Sequence, residues 1–192
     1  TAFLKYDQCS KAFFLYKKHP YLRDPVSKEK QFTFNRGHHV GQLAQQLFPG
    51  GVDVSSQAKN SKAAFELTKE LLTQNIKTIY EATFIFNGVL VMVDLLHFDG
   101  TCWNAYEVKS SLKISDAYIK DACLQFYVLK NSLENFNDLF LVTLNSNYVL
   151  EEEIDLKQLF RKRSVKESAE KNIDFFDKAI TQMNLVLERN AI

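Results

Sequence analysis

Cysteine and proline are both scarce, three of each in 192 residues, and glycine numbers six. The three cysteines, Cys9, Cys102 and Cys123, are odd in number, far apart and form no CxxC pair. That excludes a disulfide framework and a complete zinc site, and it fits a reducing cytoplasm. Cys102 and Cys123 read as small buried hydrophobes. So little glycine and proline excludes collagen-like repeats and low-complexity tails. No apolar stretch approaches the roughly 18 residues of a membrane span. The N-terminus has no secretory-signal pattern. A net charge of +1 argues for no partner by itself.

Apolar residues make up 46% of the chain and charged residues 24%, an ordinary globular balance. A chain this long buries roughly 70% of its unfolded surface and needs no staple to hold a core. One domain is expected. The chain begins at Thr1 rather than Met and is read as a piece of a longer protein with further domains.

Charge is unevenly placed. Residues 1–40 hold eight Lys/Arg against three acids, and residues 157–166 hold five against none. Residues 41–156 hold eight bases against fifteen acids. Basic ends around an acidic middle suit a nucleic-acid backbone meeting a metal-binding carboxylate cluster, or simply solvated faces. Lys17, Lys18, Arg23, Arg161, Lys162 and Arg163 are the candidate phosphate contacts.

Apolar spacing predicts a short helix over Lys11–Lys18, a loop over His19–Lys30, and a helix burying Val40, Leu43, Ala44, Leu47 and Phe48. Pro49-Gly50-Gly51 stops that helix. Ser61–Gln74 reads as another. Three strands follow at Thr78–Phe86, Val89–Leu96 and Trp103–Lys109, the middle one apolar enough to be buried on both faces. Asn87-Gly88 is a strong two-residue hairpin signal, and Asp99-Gly100 reads as a second. Ser115 caps a helix running to about Lys130. Leu139–Leu144 is a fourth strand, parallel to the third through that helix. Val165–Asn190 reads as one or two helices. The order implies an α/β fold with a mixed central sheet flanked by helices and with N-terminal and C-terminal helical additions. The core spans about 36–146 and a C-terminal helical segment about 155–190.

Turn chemistry then places the acids. A two-residue turn at Asn87-Gly88 pairs Phe86 with Val89 and sets Glu81 opposite Asp94. A two-residue turn at Asp99-Gly100 sets Asp94 opposite Ala105, with Glu107 diagonal to it and Lys109 two residues further along the same face. Three carboxylates beside so apolar a strand are costly unless a cation compensates. Hard oxygen ligands favour Mg²⁺ or Mn²⁺. The competing arrangement is a buried ion pair of Lys109 with one acid, the others facing solvent. A metal held by Asp94 and Glu107 beside Lys109 suits phosphodiester hydrolysis. A sugar hydrolase would use paired acids without needing the lysine.

Asp94 followed by Glu107-Val108-Lys109 on the next strand resembles the D…(D/E)xK motif of the PD-(D/E)xK nuclease superfamily. Gly88 to Asp94 resembles the strand leading to the metal Asp of RecB-type nucleases, and Glu107 to Ser111 their metal Glu and catalytic Lys. Gln125 resembles their following helical Gln, and Glu81 an acid that often precedes the metal Asp. Cys9–Lys18, Arg36–Ala44, Leu47–Val52 and Gln125–Leu129 resemble a family of uncharacterised bacterial proteins with a RecB-like, CRISPR-exonuclease-like nuclease domain. The similarity covers about residues 3–160.

It implies a restriction-endonuclease-like core and an Mg²⁺- or Mn²⁺-dependent deoxyribonuclease, an exonuclease, acting on single-stranded DNA or duplex ends. It assigns Asp94, Glu107, Lys109 and Gln125 to catalysis, and Asp94, Glu107, Glu81 and His39 to the metal. Three positions depart. The metal His four residues after Gly37 is here Gly41, leaving His38 or His39 at the expected helix start. The Tyr four residues after Gln125 is Leu129, with Tyr127 two positions early. No late cysteine triad accompanies Cys9, so no iron–sulfur cluster is expected. The Gly41 departure motivates an alternative, a nuclease-fold nucleic-acid-binding module without turnover.

Overall fold

The computed structural model describes residues 1–188. Three short helices' worth of chain precede the first strand: α1 (Ala2–Gln8), α2 (Ser10–Lys18) and the longer α3 (Lys28–Gln45). There follow β1 (Val52–Asp53), α4 (Ser61–Thr73), β2 (Thr78–Phe86), β3 (Val89–Phe98), β4 (Trp103–Lys109), α5 (Asp116–Ser132) and β5 (Phe136–Leu144). The described residues close with α6 (Leu156–Leu159), β6 (Phe160–Ser164), α7 (Lys166–Glu170) and α8 (Ile173–Glu188). Residues 189 and 190, which the sequence places in the last helix, lie outside the described residues.

Among the described residues the strands form one six-stranded mixed sheet in sequential order β1 to β6. The β1–β2 and β4–β5 pairs are parallel and the other three antiparallel. The fold is therefore α/β, with the expected parallel crossover through α5. No helix among the described residues is long and apolar enough to cross a membrane.

Two apolar clusters cover the two faces of the sheet. The larger gathers Phe3, Phe13, Leu71, Ile79, Val93, Phe126 and Phe176, with contributions from α1, α2, α4, α5, α7 and α8. The smaller gathers Val40 and Ala44 of α3 against Tyr80, Leu95, Tyr106, Val142 and Phe160. In α5 every residue from Asp121 to Leu129 is buried, because sheet lies on one side and helices on the other. Tyr127 is a core residue there: its hydroxyl donates to Asp177 of α8 and accepts from Asn87 at the hairpin.

Four expectations need correcting. The Asp99-Gly100 turn is not a two-residue loop. The Asp99 carboxylate accepts from the N–H groups of Thr101 and Cys102, both at 2.9 Å, which closes a four-residue loop and pairs Phe98 with Trp103. The segment 155–190 is not wholly helical, since β6 runs through it as an edge strand. The loop read over His19–Lys30 ends early, because the Ser27 side chain caps α3 at Lys28. Cys123 is buried as expected, whereas Cys102 is partly exposed and Cys9 exposed.

Candidate active site

Asn87 and Gly88 both have positive φ, 47° and 76°, the backbone a type I′ turn requires. Phe86 therefore pairs with Val89, as expected, and the alignment continues to Ala82 with Val93. Beyond that point both strands change face together. Ala82 and Val93 lie in the larger cluster, while Tyr80 and Leu95 pair with one another in the smaller one. Regular alternation would keep residues two apart on one face. The switch falls at Glu81, whose φ is 55°, and at Asp94 opposite. A left-handed glutamate inside a strand is a strained residue of the kind that accumulates at functional sites.

On the other side of β3, Leu95 pairs with Tyr106 and Leu96 with Ala105. Asp94 thus stands level with Glu107, not with Ala105. The shift relative to expectation is two residues, so the faces are preserved. Regular pairing stops here, and the Asp94 carboxylate instead accepts the Val108 N–H at 2.6 Å. Lys109 donates to Glu107 Oε1 at 2.6 Å and lies 3.5 Å from Asp121 Oδ2, with the Tyr118 ring 5.4 Å away. An ion pair of Lys109 with an acid, the competing arrangement, is present, and the partner is Glu107. The remaining acids are nevertheless not simply solvated.

Glu81, Asp94, Glu107 and Lys109 line one cleft of about 490 Å³. Gly37, His38, Gly41, Gln42 and Gln45 of α3 close it from one side, and Asp53 and Ser55 from another. Burial raises the Glu81 carboxyl to about 7, helped by the charges of Asp53 and Glu107. Burial also raises Asp94 well above the usual carboxylate range, with Glu107 and Glu81 adding to it against the Val108 hydrogen bond and Lys109. Glu107 is raised chiefly by burial, which its Lys109 partner only partly offsets. Burial works against the Lys109 ammonium, but the charge and hydrogen bond of Glu107 outweigh it and hold it above its ordinary value.

A second hollow of about 610 Å³ lies on the α5 side, and Glu107 lines both. Glu107 Oε2, Asp121 Oδ1 and Gln125 Oε1 are buried there without a hydrogen-bond partner. An orphaned carboxylate oxygen and three acids with raised affinity for protons are what a cation would relieve. The three acids offer hard oxygen donors, which fits Mg²⁺ or Mn²⁺ rather than a soft metal. Among the described residues, no three His, Cys, Asp or Glu side chains are already gathered at metal-ligating distances. Lys109 occupies one Glu107 oxygen and the Val108 N–H one Asp94 oxygen.

The sequence-expected residues are thus partly brought together. Gln125 stands beside Glu107 in the second hollow. His39 is exposed and does not line the cleft, whereas His38 does. Because α3 starts at Lys28, both histidines lie mid-helix and not at its N-terminus, and one residue turns the side chain about 100°. A Cβ at Gly41 would meet nothing within 4 Å. Two acids escaped sequence reasoning. Asp53, flanked by Val52 and Val54, sits on a two-residue strand too short for periodicity to reveal. Asp121 precedes Gln125 by four residues, one turn on the same helical face, and that spacing was the available signal.

The basic candidates are dispersed. Lys17 lines the second hollow and Lys18 is exposed on α2. Arg23 is tied to α2, its guanidinium over the Tyr16 ring at 3.9 Å. Arg161, Lys162 and Arg163 lie on edge strand β6. Thr143 pairs with both Lys109 and Arg161, so Arg161 is two strands, about 10 Å, from the Lys109 position. Lys162 faces the other way, over Phe48 and Tyr106 at 4.9 and 5.0 Å.

No protein-family model matches the chain, and no curated protein matches it significantly.

Proposed function

We propose that the protein is a divalent-metal-dependent nuclease that hydrolyses phosphodiester bonds in DNA, an exonuclease of the PD-(D/E)xK type with a restriction-endonuclease-like core. The observation that carries this reading is the register that sets Asp94 level with Glu107 in a cleft beside Lys109. Asp94, Glu107 and Glu81 would hold Mg²⁺ or Mn²⁺, which supplies charge neutralisation and a more acidic bound water when present. Lys109 holds its proton, so it serves as an electrostatic donor to a phosphate oxygen or orients the attacking water. Asp121 and Glu107 hold its ammonium from two sides. The Val108 N–H orients the Asp94 carboxylate, and Gln125 stands beside Glu107.

A second reading, a nucleic-acid-binding module without turnover, draws support from Gly41, which leaves the α3 face of the cleft without an imidazole at that position. Calorimetric Mn²⁺ titration followed by cleavage of labelled single- and double-stranded DNA decides between them. Metal-dependent cleavage abolished by Asp94→Ala and Lys109→Ala supports the nuclease. DNA binding without metal dependence and without cleavage supports the module.

A further inference from the structure

Helix α3 is two different objects. From Gly37 onward it belongs to the cleft and the smaller core, but every residue from Pro20 to Arg36 is exposed. The first nine residues of the helix, about 13 Å of it, project without packing. A short unsupported helix is marginal in water, and this one carries Phe32 and Phe34 at 70% and 59% exposure. The spacing Phe34, His38, Gly41, Gln42, Gln45 runs down one face, and all but Phe34 line the acidic cleft. Phe34 therefore extends the cleft wall by one turn, with Lys30 a turn above it. Phe32 is about 200° around the helix, on the far side. Lys28, Lys30 and Arg36 outnumber Glu29 on this half and make no ion pair among the described residues. The loop after Lys109 passes the same place: a Cβ on Gly37 would be 4.0 Å from Ser110 Oγ, and Leu112 beyond it is 60% exposed.

We infer that the projecting half of α3 is a stacking platform for single-stranded nucleic acid, with Phe34 as the positioning residue that delivers a strand into the cleft. The inference deepens the nuclease reading and rests on it for the identity of the cleft. The occupant is polyanionic because the platform is basic while the cleft beyond it is acidic. It is single-stranded because an exposed phenyl ring stacks on a base only when that base's own neighbour has left its face, and such stacking is tolerant of sequence.

The test is fluorescence anisotropy of a labelled oligothymidylate and of a blunt duplex, in EDTA so that nothing is cleaved, with sedimentation velocity on the same samples. Phe34→Ala should bind the single strand about tenfold more weakly, within the range for one base–aromatic stack. Phe34→Trp should restore binding, and Phe32→Ala should leave it unchanged. Equal binding by Phe34→Ala, or a wild-type preference for duplex, overturns the platform. So does a wild-type dimer that Phe34→Ala converts to monomer, since a second copy would then cover this face. Phe34-dependent binding with no cleavage under any metal sinks the nuclease reading alone, whereas metal-dependent cleavage with Phe34-independent binding sinks the platform alone.

Discussion

Asp94 and Glu107 face each other across β3 and β4 at the point where the two strands stop pairing, and the Asp94 carboxylate takes the Val108 N–H that a regular ladder would have used. Directly opposed acids weaken a strand pair, and both here are raised in pKa mainly by burial. Asp94→Asn keeps an oxygen for Val108 and removes a charge. In EDTA at pH 8 it should raise the urea midpoint, while Mn²⁺ affinity falls by more than the about 100-fold that losing an outer-shell partner costs. Unchanged Mn²⁺ binding by calorimetry would place the metal elsewhere.

Glu81 has an ordinary carboxyl value of 4.5 when unfolded and about 7 when folded. Between those values the folded state binds more protons, so metal-free stability falls as pH rises from 4.5 through 7 and stays low above it. The loss from this residue is at most about 3 kcal/mol. Glu81→Gln should flatten that part of the profile, leaving the falls due to Asp94 and Glu107. Urea midpoints across pH in EDTA check this, and an unaltered slope would refute it.

Gly41 faces open space in the cleft. Gly41→His should fold normally and gain a few tenths of a kcal/mol from helix propensity. If the cleft is a metal site, Mn²⁺ should bind about tenfold more tightly, some 1.4 kcal/mol. No change in affinity with an intact fold would count against a metal placed between α3 and Asp94.

Gly51 is held against Tyr80. A Cβ there would lie 2.5 Å from the ring, while the Tyr80 hydroxyl accepts the Gly51 N–H at 3.1 Å and donates to the Phe48 carbonyl at 2.7 Å. Gly51→Ala should cost about 1–3 kcal/mol through overpacking, read from chemical denaturation. Because Asp53 lies only two residues further on, the same variant should also disturb the cleft. Wild-type stability would show that the turn yields freely.

Strand and helix identity were largely legible where the signal is local. Asn87-Gly88 has one good conformation, and β2 and β4 begin and end where their β-rich composition does. Asp99-Gly100 misled because the Asp99 side chain captures two N–H groups and enlarges the loop. The faces survived that error because a two-residue slip restores them. Edge strand β6 was hidden by its own Arg161-Lys162-Arg163, since charge is tolerated, even useful, where one side of a strand is unpaired.

The sequence by itself determined the mixed α/β order, the Asn87-Gly88 register and the gathering of Glu81, Asp94, Glu107 and Lys109, because strand periodicity and turn backbone angles are local properties. Only the tertiary structure decided that Asp94 is level with Glu107, that both strands change face at Glu81 and Asp94, and that Asp53, Asp121 and His38 join the site while His39 does not. Those depend on loop closure, on where α3 begins and on which helix covers which face, and such contacts between distant parts of the chain leave no period in the sequence.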